Sequence, residues 1–207
     1  MKKTILFSLA LLFLFNKTFS QNADEVAASV AGLAAITYLA IQTDKKVIAK
    51  EITQFRSKEY IINNIIGDTK GKEIKFQTEA LASDDSGGLI TVAFNCNEVN
   101  KRGLLMAFFG ENRNELGVMG QAYAFRYIPL DKAKQLFNII GEAQERNKNY
   151  LSMQEDIYNV YIEFEDIKFV LYRDGGDQIR VYWNGFQVEW ERVAFDRSKR
   201  RLDRWFE

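Results

Sequence analysis

Histidine is missing from all 207 residues. Without it there is no Ser-His-Asp or Cys-His catalysis, and nearly every zinc or copper site loses its commonest ligand. Cysteine occurs once, as Cys96, so the chain has no internal disulfide and must hold its core without covalent staples. Cys96 ends the apolar run 89–96 and reads as a small buried hydrophobe rather than a reactive thiol. Charge of one sign is also lacking. The 28 basic side chains balance 28 acidic ones, which gives no broad basic field and argues against a nucleic-acid partner. No nucleotide, metal or cofactor motif stands out. Asp84-Asp85 and Asp174-Gly175-Gly176-Asp177 offer oxygen ligands for calcium, but they lack the count and spacing of a calcium loop, and turn chemistry accounts for Asp beside Gly. What remains for an enzyme is carboxylate chemistry, such as glycan hydrolysis by an Asp/Glu pair.

What is present begins with an address. Lys2 and Lys3 precede an apolar run of eleven residues, Ile5 to Phe15, broken only by Ser8. Thr18 and Ser20 then place small residues at −3 and −1 of a cut before Gln21. A charged start, a short apolar core and a small-x-small cut are the parts of a secretory signal. A spanning anchor needs about 20 apolar residues. The sequence therefore predicts a signal peptide over 1–20, with export to the periplasm, the envelope or the medium. Removing Lys2, Lys3 and Lys17 leaves 25 basic against 28 acidic groups, near −3.

The rest divides into an N-terminal helical segment, 21–70, and an α+β domain, 71–207. Asn22 is placed to cap a helix from Ala23, with Asp24 and Glu25 in its first turn. Its small residues recur every four positions (Ala27, Ala31 and Ala35; Ala28 and Gly32), a spacing that lets another backbone approach. This marks 23–41 for self-association or membrane contact, against plain packing on the body. A second helix, or a continuation of the first, over 44–64 is marked by Val47, Ile48, Ile52, Phe55, Ile62 and Ile66 at roughly helical spacing.

Beyond residue 72 the period changes. Segments 73–82, 88–96, 103–110 and 117–128 are short, β-branched and aromatic, separated by polar turns, and predict antiparallel strands. The unbroken run Leu104 to Phe109 predicts a strand covered on both faces. A helix over 131–149, capped by Asp131, buries Ala133, Leu136, Phe137 and Ile140. Asn184-Gly185 predicts a two-residue type I′ hairpin, which sets Trp183 opposite Phe186, Val181 opposite Val188 and Ile179 opposite Trp190. Arg180 then faces Glu189 on the other side. Extended backwards, the alternation predicts a four-strand meander over 157–190. A helix over 191–206 lays Ala194, Phe195, Ser198, Leu202, Trp205 and Phe206 along one stripe. The expected fold is α+β: an N-terminal helical segment, then about eight strands in antiparallel meanders, with one helix between them and one at the C-terminus.

Two clusters are candidate sites. Glu163, Glu165 and Asp166 cluster, with Glu163 and Glu165 expected on one strand face, and paired carboxylates are what acid/base hydrolysis needs, although the polar face of an amphipathic strand produces the same pattern. Arg197, Arg200, Arg201 and Arg204 form a stripe on the last helix, suited to an acidic partner or another anionic surface, against a plain solvated face. The aromatics of the hairpin share its apolar face and read as core rather than as a sugar platform. The expectation is an exported, non-enzymatic binding or assembly module with no cofactor and no metal. Its partner is an envelope protein or an anionic surface, with self-association through 23–41. A carboxylate-based glycan hydrolase and a soluble carrier of an apolar ligand are the alternatives.

Overall fold

The computed structural model describes residues 45–84, 87–110, 112, 122–154 and 157–207. The expected signal, the 23–41 helix and Asp85 lie outside those residues. The described residues belong to one compact unit, Asp44–Glu207.

Asn184 and Gly185 both take positive φ, 48° and 81°, as a type I′ turn requires. The register they impose is the expected one: Trp183–Phe186, Val181–Val188 and Ile179–Trp190 pair directly, and Arg180 stands opposite Glu189. Strands β5 (Val160–Phe164), β6 (Ile167–Arg173), β7 (Asp177–Trp183) and β8 (Phe186–Glu191) follow one another as a four-stranded antiparallel sheet. The loop after β6 uses Gly175 at φ 60°, and Arg173 pairs with Asp177 across it, so the alternation survives the turn. Phe164, Ile167, Phe169, Leu171, Ile179, Val181, Phe186, Val188 and Trp190 are all buried in one core.

The first sheet is also a four-stranded antiparallel meander: β1 (Gln77–Asp84), β2 (Leu89–Cys96), β3 (Lys101–Phe109) and β4 (Tyr123–Pro129). β3 is buried from Gly103 to Phe109, and its alternate residues enter different cores. Leu104, Met106 and Phe108 join the core shared with the second sheet. Leu105, Ala107 and Phe109 join Ile90, Val92, Phe94 and Cys96 on the opposite face. The sheet is thus covered on both sides, as its continuous apolar run predicts.

Helix α1, residues 45–66, covers that second face through Ala49, Ile52 and Ile61, with Ile48, Tyr60, Ile65 and Ile66 partly buried beside them. Two stretches, Ile52–Arg56 and Ile61–Ile66, are wound as wide π-type turns. A wide turn takes more residues per revolution than an α-turn, so the apolar positions do not collect on one face. Ile48 and Ile52 face the sheet, whereas Val47, Phe55 and Ile62 are exposed. The single apolar face expected from the spacing is in fact two.

Helix α2 (Leu130–Arg146) buries Leu130, Ala133, Leu136, Phe137, Ile140 and Gln144. Asp131 lies in its first turn rather than at the cap, which is Pro129. A short helix, α3 (Lys148–Leu151), follows. The chain closes with α4 (Arg192–Phe206), which buries Ala194, Phe195, Ser198 and Leu202. Phe137 of α2, Trp190 of β8 and Phe195 of α4 meet with ring centroids 5.1–5.6 Å apart, so three elements share one aromatic node.

Candidate functional site

Helix α4 turns its apolar stripe inward, and this fixes what it shows outside. Ser198 is fully buried. Its hydroxyl donates to the Ala194 carbonyl at 2.7 Å and lies 2.7 Å from the Thr91 hydroxyl on β2. Thr91 Oγ1 also lies 3.4 Å from the Ala82 carbonyl, so each hydroxyl has a backbone acceptor and either can donate across the contact. This buried polar pair and Leu202 set the rotation of the helix.

That rotation brings the four arginines to the surface together, but it does not leave them equivalent. Arg201 Nη1 donates to the carbonyls of Ala80 and Leu81 on β1, at 3.2 and 3.1 Å. Those carbonyls lie at a β-bulge: Ala80 pairs with Val92 and Ala82 with Thr91, so Leu81 is the extra residue. A bulge leaves ladder groups without strand partners, and the guanidinium satisfies them. Arg201 therefore ties α4 to β1. Arg197, Arg200 and Arg204 are exposed, and none has an ion-pair partner among the described residues. Their spacings of three and four residues put them on one stripe, which Val193, 62% exposed, extends toward the N-terminus.

The other basic groups near α4 are engaged. Lys199 Nζ donates to Asn138 Oδ1 of α2 at 2.8 Å. Arg192 donates to Asp196 at 2.9 Å and also to Gln144, with Glu145 3.9 Å away. Asn138, Glu145, Arg192, Asp196 and Lys199 line a shallow groove of about 390 Å³ between α2 and α4, whose charges answer one another.

The carboxylate cluster is placed differently from its expectation. Glu163 lies on β5, exposed, and accepts a hydrogen bond from the Tyr161 hydroxyl at 2.8 Å. Glu165 is not on a strand face beside it. It occupies the β5–β6 turn with φ 54°. Arg126 of β4 bonds Glu165 at 2.8 Å and Asp166 at 2.9 Å, and Trp183 Nε1 donates to Asp166 at 2.9 Å. Burial pushes the Asp166 carboxyl up, but the Trp183 hydrogen bond and the Arg126 charge outweigh it and hold the group below its usual range. This constellation joins the two sheets: Arg126 belongs to the first, and Glu165, Asp166 and Trp183 to the second. Sequence reading finds the carboxylates but not Arg126, which lies 39 residues before Glu165 with no local pattern to pair them.

Asp174 and Asp177 flank the β6–β7 turn and are exposed. Among the described residues no group of three acidic or Cys side chains is placed to hold a metal ion, and no helix is long and apolar enough to cross a membrane. Cys96 is buried, with its Sγ 3.4 Å from the Lys75 carbonyl. No protein-family model, curated protein or solved structure matches the chain.

Proposed function

We propose that the chain is an exported envelope protein that works by binding rather than by catalysis, and that Arg197, Arg200 and Arg204 form its docking face for an acidic partner. One observation carries the reading. These three guanidiniums are exposed on one stripe and make no ion pair among the described residues, while Arg126, Arg192 and Arg201 are each tied down. A planar guanidinium fork suits carboxylate or phosphate oxygens, and three on one stripe offer several such contacts at once. The hydrolase alternative has less support, because Glu165 and Asp166 serve a bridge between sheets and Glu163 is open to solvent.

The test is a charge reversal. Replacing Arg197, Arg200 and Arg204 together by Glu leaves every buried contact of α4 in place. Source cells expressing either protein are fractionated, and the envelope fraction is washed with high salt. The native chain is expected to remain with the envelope and to leave on salt, which screens exposed charges. The triple variant is expected at a clearly lower level than the native chain in the envelope fraction before any wash. Equal retention of both proteins would end this reading.

A further inference from the structure

A second surface lies on the opposite side of the first sheet from α4. Helix α1 packs on that side and leaves Val47 52%, Phe55 66% and Ile62 47% exposed. Three large apolar side chains are thus exposed on one helix, with polar residues between them. Steps of eight and seven residues are each close to two helical turns, so the three lie on the same side of the helix.

The charge around the stripe is one-sided. Helix α1 carries Lys45, Lys46, Lys50, Arg56 and Lys58 against only Glu51 and Glu59. Both acids are held by Arg56, at 3.6 and 3.0 Å. Lys46, Lys50 and Lys58 are exposed and meet no acid among the described residues. The helix is therefore net basic on a mature chain that is net acidic.

We infer that the outer face of α1 lies on an anionic lipid surface, with Phe55, Val47 and Ile62 entering the acyl boundary and Lys46, Lys50 and Lys58 meeting the headgroups. An amphipathic helix with aromatic and aliphatic residues on one side and lysines around them has the composition of an in-plane membrane helix. Its charge selects the occupant. A second copy of the same face would bring like charge against like, whereas an anionic leaflet attracts it. The inference does not depend on the arginine face of α4, since the two surfaces lie on opposite sides of the sheet.

The experiment uses the chain from Gln21 with Phe55→Cys, labelled with a polarity-sensitive dye. Cys96 is 1% exposed, so the introduced thiol takes the label, and the unsubstituted chain controls for this. The probes are phosphatidylcholine vesicles with and without phosphatidylglycerol. A blue shift of the dye on the anionic vesicles alone is the expected result. Phe55→Glu, at an exposed position and with an unchanged near-ultraviolet circular dichroism spectrum, is expected to weaken partition onto those vesicles about tenfold. Three results would overturn the inference: no shift with lipid, a shift that grows with protein concentration in the absence of lipid (a second copy covers the face), or undiminished partition of Phe55→Glu. Reversing Arg197, Arg200 and Arg204 should leave vesicle binding intact, so failure here is separable from failure of the docking face.

Discussion

The side chain whose chemistry reaches furthest is Tyr172. Its hydroxyl donates to Glu189 at 2.6 Å and accepts from Arg180 at 3.1 Å, on the outer face of the second sheet. Burial, then the hydrogen bond to Glu189, pushes the Tyr172 pKa from 10.0 up to about 12. Glu189 moves the other way: the Tyr172 hydrogen bond, with the Arg180 charge, holds its carboxyl below the ordinary 4.5. The signs follow from linkage. A raised phenol contributes stability below pH 10.0 that disappears as pH climbs toward about 12. A lowered carboxyl contributes stability above pH 4.5 that disappears as pH falls through its folded value. Tyr172→Phe removes the phenol and the bond that lowers Glu189. It is expected to cost about 0.5–1.5 kcal/mol near neutrality. The gap between native and variant urea midpoints should narrow both above pH 10 and below pH 4.5. A gap constant across pH would show that the hydroxyl matters only by its shape. Other tyrosines titrate in the alkaline window, so the difference between the two proteins is the quantity to read.

At the scale of elements, legibility depended on how local the determining chemistry is. The β7–β8 hairpin could be read pair by pair, because Asn184-Gly185 forces the turn and period two does the rest. The inward stripe of α4 could be read for the same reason: Ala194, Phe195, Ser198 and Leu202 keep helical spacing without interruption. Helix α1 could not, because its wide turns shift residues between faces and no single residue announces them. The role of Arg201 was equally out of reach, since it answers a bulge at Leu81 about 120 positions away. Of the candidate sites, the exposed arginines were visible as a helical stripe, whereas the fate of Glu165 and Asp166 was set by Arg126 across the sheets. The hairpin also provides a sharp test of the local argument. Gly185 sits at φ 81°, where a Cβ carries a cost of about 1–2 kcal/mol. Gly176 has an ordinary φ and open space where a Cβ would go. Thermal unfolding should therefore find Gly185→Ala destabilised by about 1–2 kcal/mol and Gly176→Ala close to native, at or slightly above it. Equal losses at both sites would mean that chain stiffness, not turn handedness, governs these loops.

For Asp44–Glu207 as a whole, the question is whether two sheets in sequence behave as one folding unit. The two meanders do not interleave: the strand orders are β1-β2-β3-β4 and β5-β6-β7-β8. Each could open alone if little crossed between them. Much does cross. The Phe108 ring of the first sheet lies 4.9 Å from Trp183 and 6.2 Å from Phe186 of the second. The backbone N–H of Glu189 on β8 bonds the Gly87 carbonyl in the β1–β2 turn at 2.9 Å. Arg126 grips the β5–β6 turn, and α4 reaches β1 through Arg201 and β2 through Ser198. Leu104, Met106 and Phe108 share a single apolar core with Phe169, Val181 and Trp190, so parting the sheets would expose that core on both sides at once. The halves are expected to unfold together. The chain carries its own reporters for this. All three tryptophans, Trp183, Trp190 and Trp205, lie in the C-terminal half, and the only thiol, Cys96, lies on the far face of the first sheet. In a urea titration, tryptophan emission should report the second sheet and α4, while reaction of Cys96 with a thiol reagent should report the first. Coincident midpoints are the two-state result. If Cys96 became reactive well before the tryptophans changed, the first sheet with α1 would be the weaker unit, and the contacts through Phe108, Gly87 and Arg126 would be contributing far less than their number suggests.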